Sequence, residues 1–246
     1  MSDNTDNPRH FLNYGFYTVD RNWRLLPRDV RDAHKEELAG VVDAWADRMM
    51  VRTFTTVGVR ADSEFLIWRA TPDFDLLRKM QTDILSTELG ARLQTRYMYT
   101  ATTKPSQYFR EAKDAGFTKE RPLDVVPIDR KYIIVYPMDK QRPWYALSRE
   151  ERGSAMKEHA TIGRNYPGIK INTAYSFGID DQEFMVAFET DSVHDFLDLM
   201  MELRGTEASQ YTLRDVPIFT CTRMPVAQVL DSLGGVGARA AAGVSV

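Results

Sequence analysis

Cysteine is almost absent from this chain, with one residue, Cys221, in 246. No disulfide can staple the fold, and a lone thiol in the apolar run Ile218, Phe219, Thr220, Cys221 reads as a small buried hydrophobe. Histidine is scarce too, at four residues, so no Cys/His cluster has the spacing of a structural metal site. Long hydrophobic runs are missing. No stretch approaches the roughly 20 apolar residues that span a bilayer, and the start M-S-D-N-T-D-N-P-R-H lacks the apolar core of a signal peptide. These absences give the expectation of a cytoplasmic protein. A dominant charge is also missing. The 32 Lys and Arg are scattered among 35 Asp and Glu, for a net charge of −3, which excludes the electrostatic footprint of a nucleic-acid or anionic-lipid binder.

What remains is the composition of a soluble globular protein, 43% hydrophobic and 27% charged, long enough for one large or two small domains. Residues 10–19 mix aromatic and small side chains as a strand does. Residues 28–49 show helical spacing through Val30, Ala33, Leu38, Val41, Val42 and Trp45. Strands follow at 51–59 and 63–70, then a helix from Asp73 carrying Phe74, Leu77, Met80, Ile84, Leu85 and Leu89, then a strand at 93–102. The order β-α-β-β-α-β is that of a ferredoxin-like unit.

After a connector rich in proline and glycine the same order recurs: strand 131–136, helix 148–164, strands 169–177 and 183–189, helix 192–203 and strand 217–223. A short closing helix is expected at 226–233. Local sequence repeats as well, D-S-E-F-L-I-W-R-A-T-P-D-F from Asp62 against D-Q-E-F-M-V-A-F-E-T-D-S from Asp181. The expected division is a first half at 1–103, a connector at 104–130, a second half with the functional site at 131–233, and a flexible tail at 234–246. The fold class is α+β: duplicated ferredoxin-like units forming a dimeric α/β barrel-type domain with antiparallel sheets.

The chemistry concentrates between Tyr136 and Tyr166. The helix there begins S-R-E-E, in which Ser148 and Glu151 form a capping box. That start sets Arg152, Met156, His159 and Gly163 along one stripe. A histidine on an apolar helix face is often a hydrogen-bonded core residue. Here Gly163 removes bulk one turn away, and Ala155 and Ala160 leave room for a flat ligand, so a haem ligand is the alternative. His10, His34 and His194 lie among polar residues and read as solvated. Strand alternation puts Tyr132, Ile134 and Tyr136 on one face. Tyr136 is either a bonded core phenol or, being neutral at pH 7, a donor of an electron and a proton to an oxidant. Lys140 can hold a carboxylate beside that ring.

Y-P-M-D-K, W-Y at Trp144 and Tyr145, E-E-R at Glu150 to Arg152, E-H at Glu158 and His159, and E-L-R-G-T-E-A-S together resemble the chlorite dismutase family, and within it the coproheme decarboxylases. The likeness runs from about residue 131 to 233 and more loosely over the first half. It implies a duplicated ferredoxin-like fold in a homopentamer. It further implies the hydrogen-peroxide-dependent decarboxylation of two propionates of Fe-coproporphyrin III (coproheme) to haem b, with the porphyrin as both substrate and cofactor.

Residue by residue, His159 matches the proximal iron ligand, Tyr136 the tyrosine that becomes a radical, and Lys140 the lysine beside the reacting propionate. Arg204 and Ser209 match residues that hold propionates, Arg121 in the connector resembles another, and Met138 and Trp144 line the same substrate site. Chlorite dismutases carry an arginine over the distal face. Ile171 stands at that position, and an isoleucine cannot stabilise a developing anion. Chlorite dismutation and a haem carrier or sensor without turnover are the alternatives, and no residue here is matched to the base that activates peroxide.

Overall fold

A computed structural model of the chain describes residues 8–106, 108, 125 and 127–236. Arg121, most of the connector and the tail beyond residue 236 lie outside them. By contact the chain divides into two compact units that are not continuous in sequence, one comprising Phe11–Tyr99 with the segment from Thr220, the other running mainly over Thr100–Phe219.

In the first unit the antiparallel strands β1 (Phe11–Val19), β2 (Met50–Thr55), β3 (Phe65–Thr71) and β4 (Leu93–Thr102) take the order β4-β1-β3-β2. Helices α1 (Arg28–Trp45) and α2 (Phe74–Leu85) complete the β-α-β-β-α-β unit. Their apolar stripes close over one sheet face. Leu38, Val42 and Trp45 from α1, and Met80 and Ile84 from α2, share a core with Tyr17, Phe65 and Ile67. In the second unit β5 (Tyr132–Lys140), β6 (Lys170–Tyr175) and β7 (Phe184–Thr190) pair antiparallel in the order β6-β7-β5, with the short β8 (Thr212–Arg214) on the end of β5. Helix α3 (Arg142–Ala146) leads into α4 (Arg149–Arg164), and α5 (Val193–Arg204) runs on into the single turn α6 (Glu207–Gln210). Strand β9 (Phe219–Arg223) follows the cis Val216–Pro217 bond. The closing helix α7 (Val226–Ser232) packs into the core of the first unit through Val226, Val229 and Leu230.

The sequence-based elements hold, with adjustments. β5 runs four residues beyond Tyr136 because its pairing with β7 extends to Met138↔Phe184 and a bulge at Asp139/Lys140 hands the strand over to β8. Helix α2 stops at Leu85, short of Leu89. Helices α3 and α6 and strand β8 were not anticipated, since segments of three to five residues show too little periodicity. His194 is exposed, but His10 and His34 are half-buried, and His10 Nδ1 accepts from the Val125 backbone N–H at 3.2 Å. Cys221 is fully buried, which pushes its thiol pKa up.

The two units share more than topology. Helices α1 and α4 begin at corresponding arginines, Arg28 and Arg149, and α2 and α5 are equally long. The backbone N–H of Val19 donates to Glu64 at 2.8 Å, and that of Lys140 to Glu183 at 2.9 Å. Gly15 pairs with Ile67 across β1 and β3 as Tyr136 pairs with Val186 across β5 and β7. Thr87 and Thr206 each donate to a carbonyl three residues back, at 2.8 and 2.7 Å. This register sets Gly15 against Tyr136, Val19 against Lys140, Trp23 against Trp144, Arg31 against Arg152 and Leu38 against His159. Where the second unit carries a histidine, the first carries a leucine with no exposed surface. Leu38→Ala therefore opens a cavity in a closed core. An equilibrium urea unfolding curve of the variant should show a loss of about 2–5 kcal/mol.

Candidate active site

Strand β5 places Ile134, Tyr136 and Met138 in one row, and that row packs with Phe188, Val186 and Ile171 of the neighbouring strands and with Leu199 and Leu203 of α5. Tyr136 is 5% exposed and stacks on Phe188 at 5.9 Å between ring centroids. Among the described residues its hydroxyl makes only a long contact to the Met200 sulfur, 3.9 Å. Burial holds its pKa well above the ordinary phenol value, the Asp215 carboxylate adds to this, and Arg204 opposes it. The phenol is therefore neutral at physiological pH and its O–H is weakly engaged.

Helix α4 lies against the same region. Both bonds of its capping box form, Glu151 N–H to Ser148 Oγ at 3.2 Å and Ser148 N–H to Glu151 Oε2 at 2.8 Å, which sets the phase of the helix. A Cβ at Gly163 would stand 3.8 Å from Ile171 Cδ1, so this stripe faces the sheet row that holds Tyr136. One turn earlier on the stripe is His159. It is half-buried, and its Nδ1 is buried without a hydrogen-bond partner among the described residues. Its pKa is pushed down to about 4, by burial first and then by the nearby Lys140 ammonium, with Glu158 opposing. A neutral imidazole with an unmet ring nitrogen is competent to hold a metal.

Lys140, at the end of the same strand as Tyr136, is close enough to His159 to act on its pKa. Its Nζ donates to Ala208 O at 2.5 Å and Thr212 Oγ1 at 3.2 Å and lies 5.0 Å from the centre of the Trp144 ring. Burial lowers its pKa to about 8. Trp144, 2% exposed, forms a second apolar cluster with Ala155 and Ala208, against which Met156, Tyr108 and Tyr211 pack. His159 thus lies on the stripe between Met156, in that cluster, and Gly163, beside the Tyr136 cluster.

The structure brings Tyr136, Met138, Lys140, Trp144, His159 and Ile171 into one unit around facing surfaces. Arg204 is half exposed and ion-paired with Asp215 at 2.5 Å, close enough to Tyr136 to act on its pKa. Ser209 is half-buried on α6. Sequence reading passed over several participants. Glu183 accepts from Tyr145 Oη at 2.5 Å and from the Lys140 backbone, anchoring the end of β5. Its only sequence signal was the repeated E-F after an acidic turn. Asp215 and Met200 carried no signal, because only folding brings them to Tyr136.

The depressed His159 pKa has a measurable consequence in the ligand-free chain. The unfolded imidazole takes its proton near pH 6.5, and the folded one only near pH 4. Between these values the unfolded state binds more protons, so stability is present above pH 6.5 and falls as the pH drops towards 4. The His159 ring resonances followed by NMR should titrate near pH 4, and His159→Gln should flatten this part of the stability profile.

Comparison with known proteins follows the same lines. A family model described as chlorite dismutase matches residues 31–224. A coproheme decarboxylase of Mycolicibacterium smegmatis is 30% identical over 181 residues, 73% of this chain and 75% of the relative. Among solved structures, a mutant chlorite dismutase from Candidatus Nitrospira defluvii superposes with a TM-score of 0.83 at 22% identity, covering 91% of this chain and 95% of that one. A haem-binding protein from Thermus thermophilus gives a TM-score of 0.78 at 23% identity, covering 92% and 95%. With the family match spanning most of its length, this chain belongs to the chlorite dismutase family.

Proposed function

We propose that the chain is a coproheme decarboxylase. It would take iron coproporphyrin III as substrate and, with hydrogen peroxide, convert two propionate arms to vinyl groups, giving haem b. The observation that carries this reading is the pairing of a neutral His159 on α4 with a buried, weakly engaged Tyr136 on the facing sheet row, with the buried Lys140 close enough to His159 to act on its pKa. A carrier needs neither the phenol nor the ammonium. The apolar Ile171 packed beside Tyr136 supplies no charge for chlorite chemistry.

Each arm loses two electrons, one proton and carbon dioxide, and peroxide takes up the electrons with two protons to leave two waters. When bound, the porphyrin supplies both the reacting arms and the iron at which peroxide is reduced. The imidazole of His159 holds that iron from the α4 side. Tyr136 gives up its O–H hydrogen as an electron and a proton, becomes a neutral radical, and regains a hydrogen from the propionate β-carbon. Met200, the hydrogen-bond partner of its hydroxyl among the described residues, is too weak an acceptor to compete for that hydrogen. The Lys140 ammonium pairs with the carboxylate of the reacting arm. Its amine, brought to a pKa of about 8, remains mostly protonated at neutral pH. Arg204 and Ser209 hold the other arms, and Met138 and Trp144 give the ring apolar contact. Exclusion of water by the Phe188 and Trp144 clusters protects the radical.

Tyr136→Phe keeps the packing and removes the O–H. Its rate of haem b formation from coproheme and peroxide, followed by chromatography and mass spectrometry of the porphyrin, should fall by roughly two orders of magnitude, the scale of removing a placed proton-transfer group. Haem b formation at the wild-type rate overturns the assignment. His159→Ala should change the visible spectrum of the ferric complex, and an unchanged spectrum excludes it as ligand.

A further inference from the structure

The inward stripe of α4 has one more member. Arg152 precedes Met156 by four residues and His159 by seven, about 10 Å along the helix axis, the scale of a porphyrin radius with its side arm. It is half-buried, and its Nε is buried with no hydrogen-bond partner. Among the described residues its guanidinium makes neither a hydrogen bond nor an ion pair. A buried donor left unmet destabilises the fold, more so when it is charged.

The duplicated unit holds such an arginine with its terminal nitrogens met. Arg31, at the same position of α1, is 1% exposed, and although its Nε, like that of Arg152, has no partner among the described residues, its Nη1 and Nη2 donate to the carbonyls of Arg24, Leu26 and Val236. In that unit the helix covers a closed apolar core, and backbone carbonyls surround the arginine. Arg152 has the same local sequence position, less burial and no such shell. On its own helix Glu151 is engaged in the capping box and Glu158 with the Glu207 N–H, while Glu150 is exposed to solvent; Glu183 is held by Tyr145 and the Lys140 backbone.

We infer that Arg152 binds a propionate carboxylate of the porphyrin, as a holding residue additional to Lys140, Arg204 and Ser209. A planar guanidinium meets a carboxylate through two parallel N–H donors, which satisfies Nε and one terminal nitrogen together. Met156, one turn after Arg152 on the stripe, packs against the Trp144 cluster, and the Lys140 ammonium sits 5.0 Å from the centre of the Trp144 ring. The inference rests on the reading of the site as a coproheme site.

The test compares two ligands in the same detergent buffer, ferric coproheme and its tetramethyl ester, titrated by absorbance into the wild-type chain, Arg152→Gln and Arg152→Lys. Arg152→Gln should weaken coproheme at least tenfold while leaving the ester unchanged, and Arg152→Lys should recover part of the loss. Thermal unfolding of the ligand-free variants reports their folding independently. Equal weakening of both ligands, or no weakening of coproheme, overturns the role of Arg152 and leaves the decarboxylase reading standing. A wild-type chain that does not bind coproheme overturns that reading, and this inference with it.

Discussion

The site depends on one packing constraint, the facing of the α4 stripe against the row of β5 that holds Tyr136. Strand period brings Ile134, Tyr136 and Met138 to the helix side together, and a register slip of one residue would turn all three away. Helix phase brings Met156, His159 and Gly163 to the sheet side, and the Ser148–Glu151 capping box fixes where that phase begins. At Gly163 the helix stands within ordinary van der Waals reach of Ile171, 3.8 Å from where a Cβ would sit. An imidazole and a phenol are thereby held in facing layers on rigid elements.

The duplicated unit acts as an internal control on this arrangement. The same strand order, helix starts, threonine bonds and carboxylate-to-backbone bonds recur, so the scaffold by itself does not make a site. In the first unit the positions are filled by Gly15, Val19 and Leu38, and the space between helix and sheet closes as an apolar core. In the second unit Tyr136, Lys140 and His159 stand there. Such groups cost stability when buried without partners, which is why their accumulation at one place points to a ligand.

The electrostatics of the second unit are mutually adjusted. His159 is kept neutral by burial and by Lys140, while Lys140 itself is destabilised by burial and leans on Ala208 O, Thr212 and the Trp144 face. A carboxylate arriving beside Lys140 would offset the burial that lowers its pKa. At neutral pH the imidazole and the phenol are therefore uncharged, and the ammonium is held by a carbonyl, a hydroxyl and an aromatic face.

Much of this was legible in the amino-acid order because it follows from local periodicity. Alternation in K-Y-I-I-V-Y, the S-R-E-E start and the repeated acidic turn before E-F fixed the strand face of Tyr136, the stripe of His159 and the duplication. Short segments such as α3, α6 and β8 escaped, since hydrogen bonds and packing from distant residues make them, as Gln141 N–H to Tyr211 O at 2.8 Å illustrates. Only the tertiary structure decided that Asp215 and Arg204 act on Tyr136, that Met200 touches its hydroxyl, and that Arg152 lacks the carbonyl shell of Arg31. Periodicity says which way a side chain faces. What it meets there depends on segments far along the chain, and burial and pKa depend on that meeting.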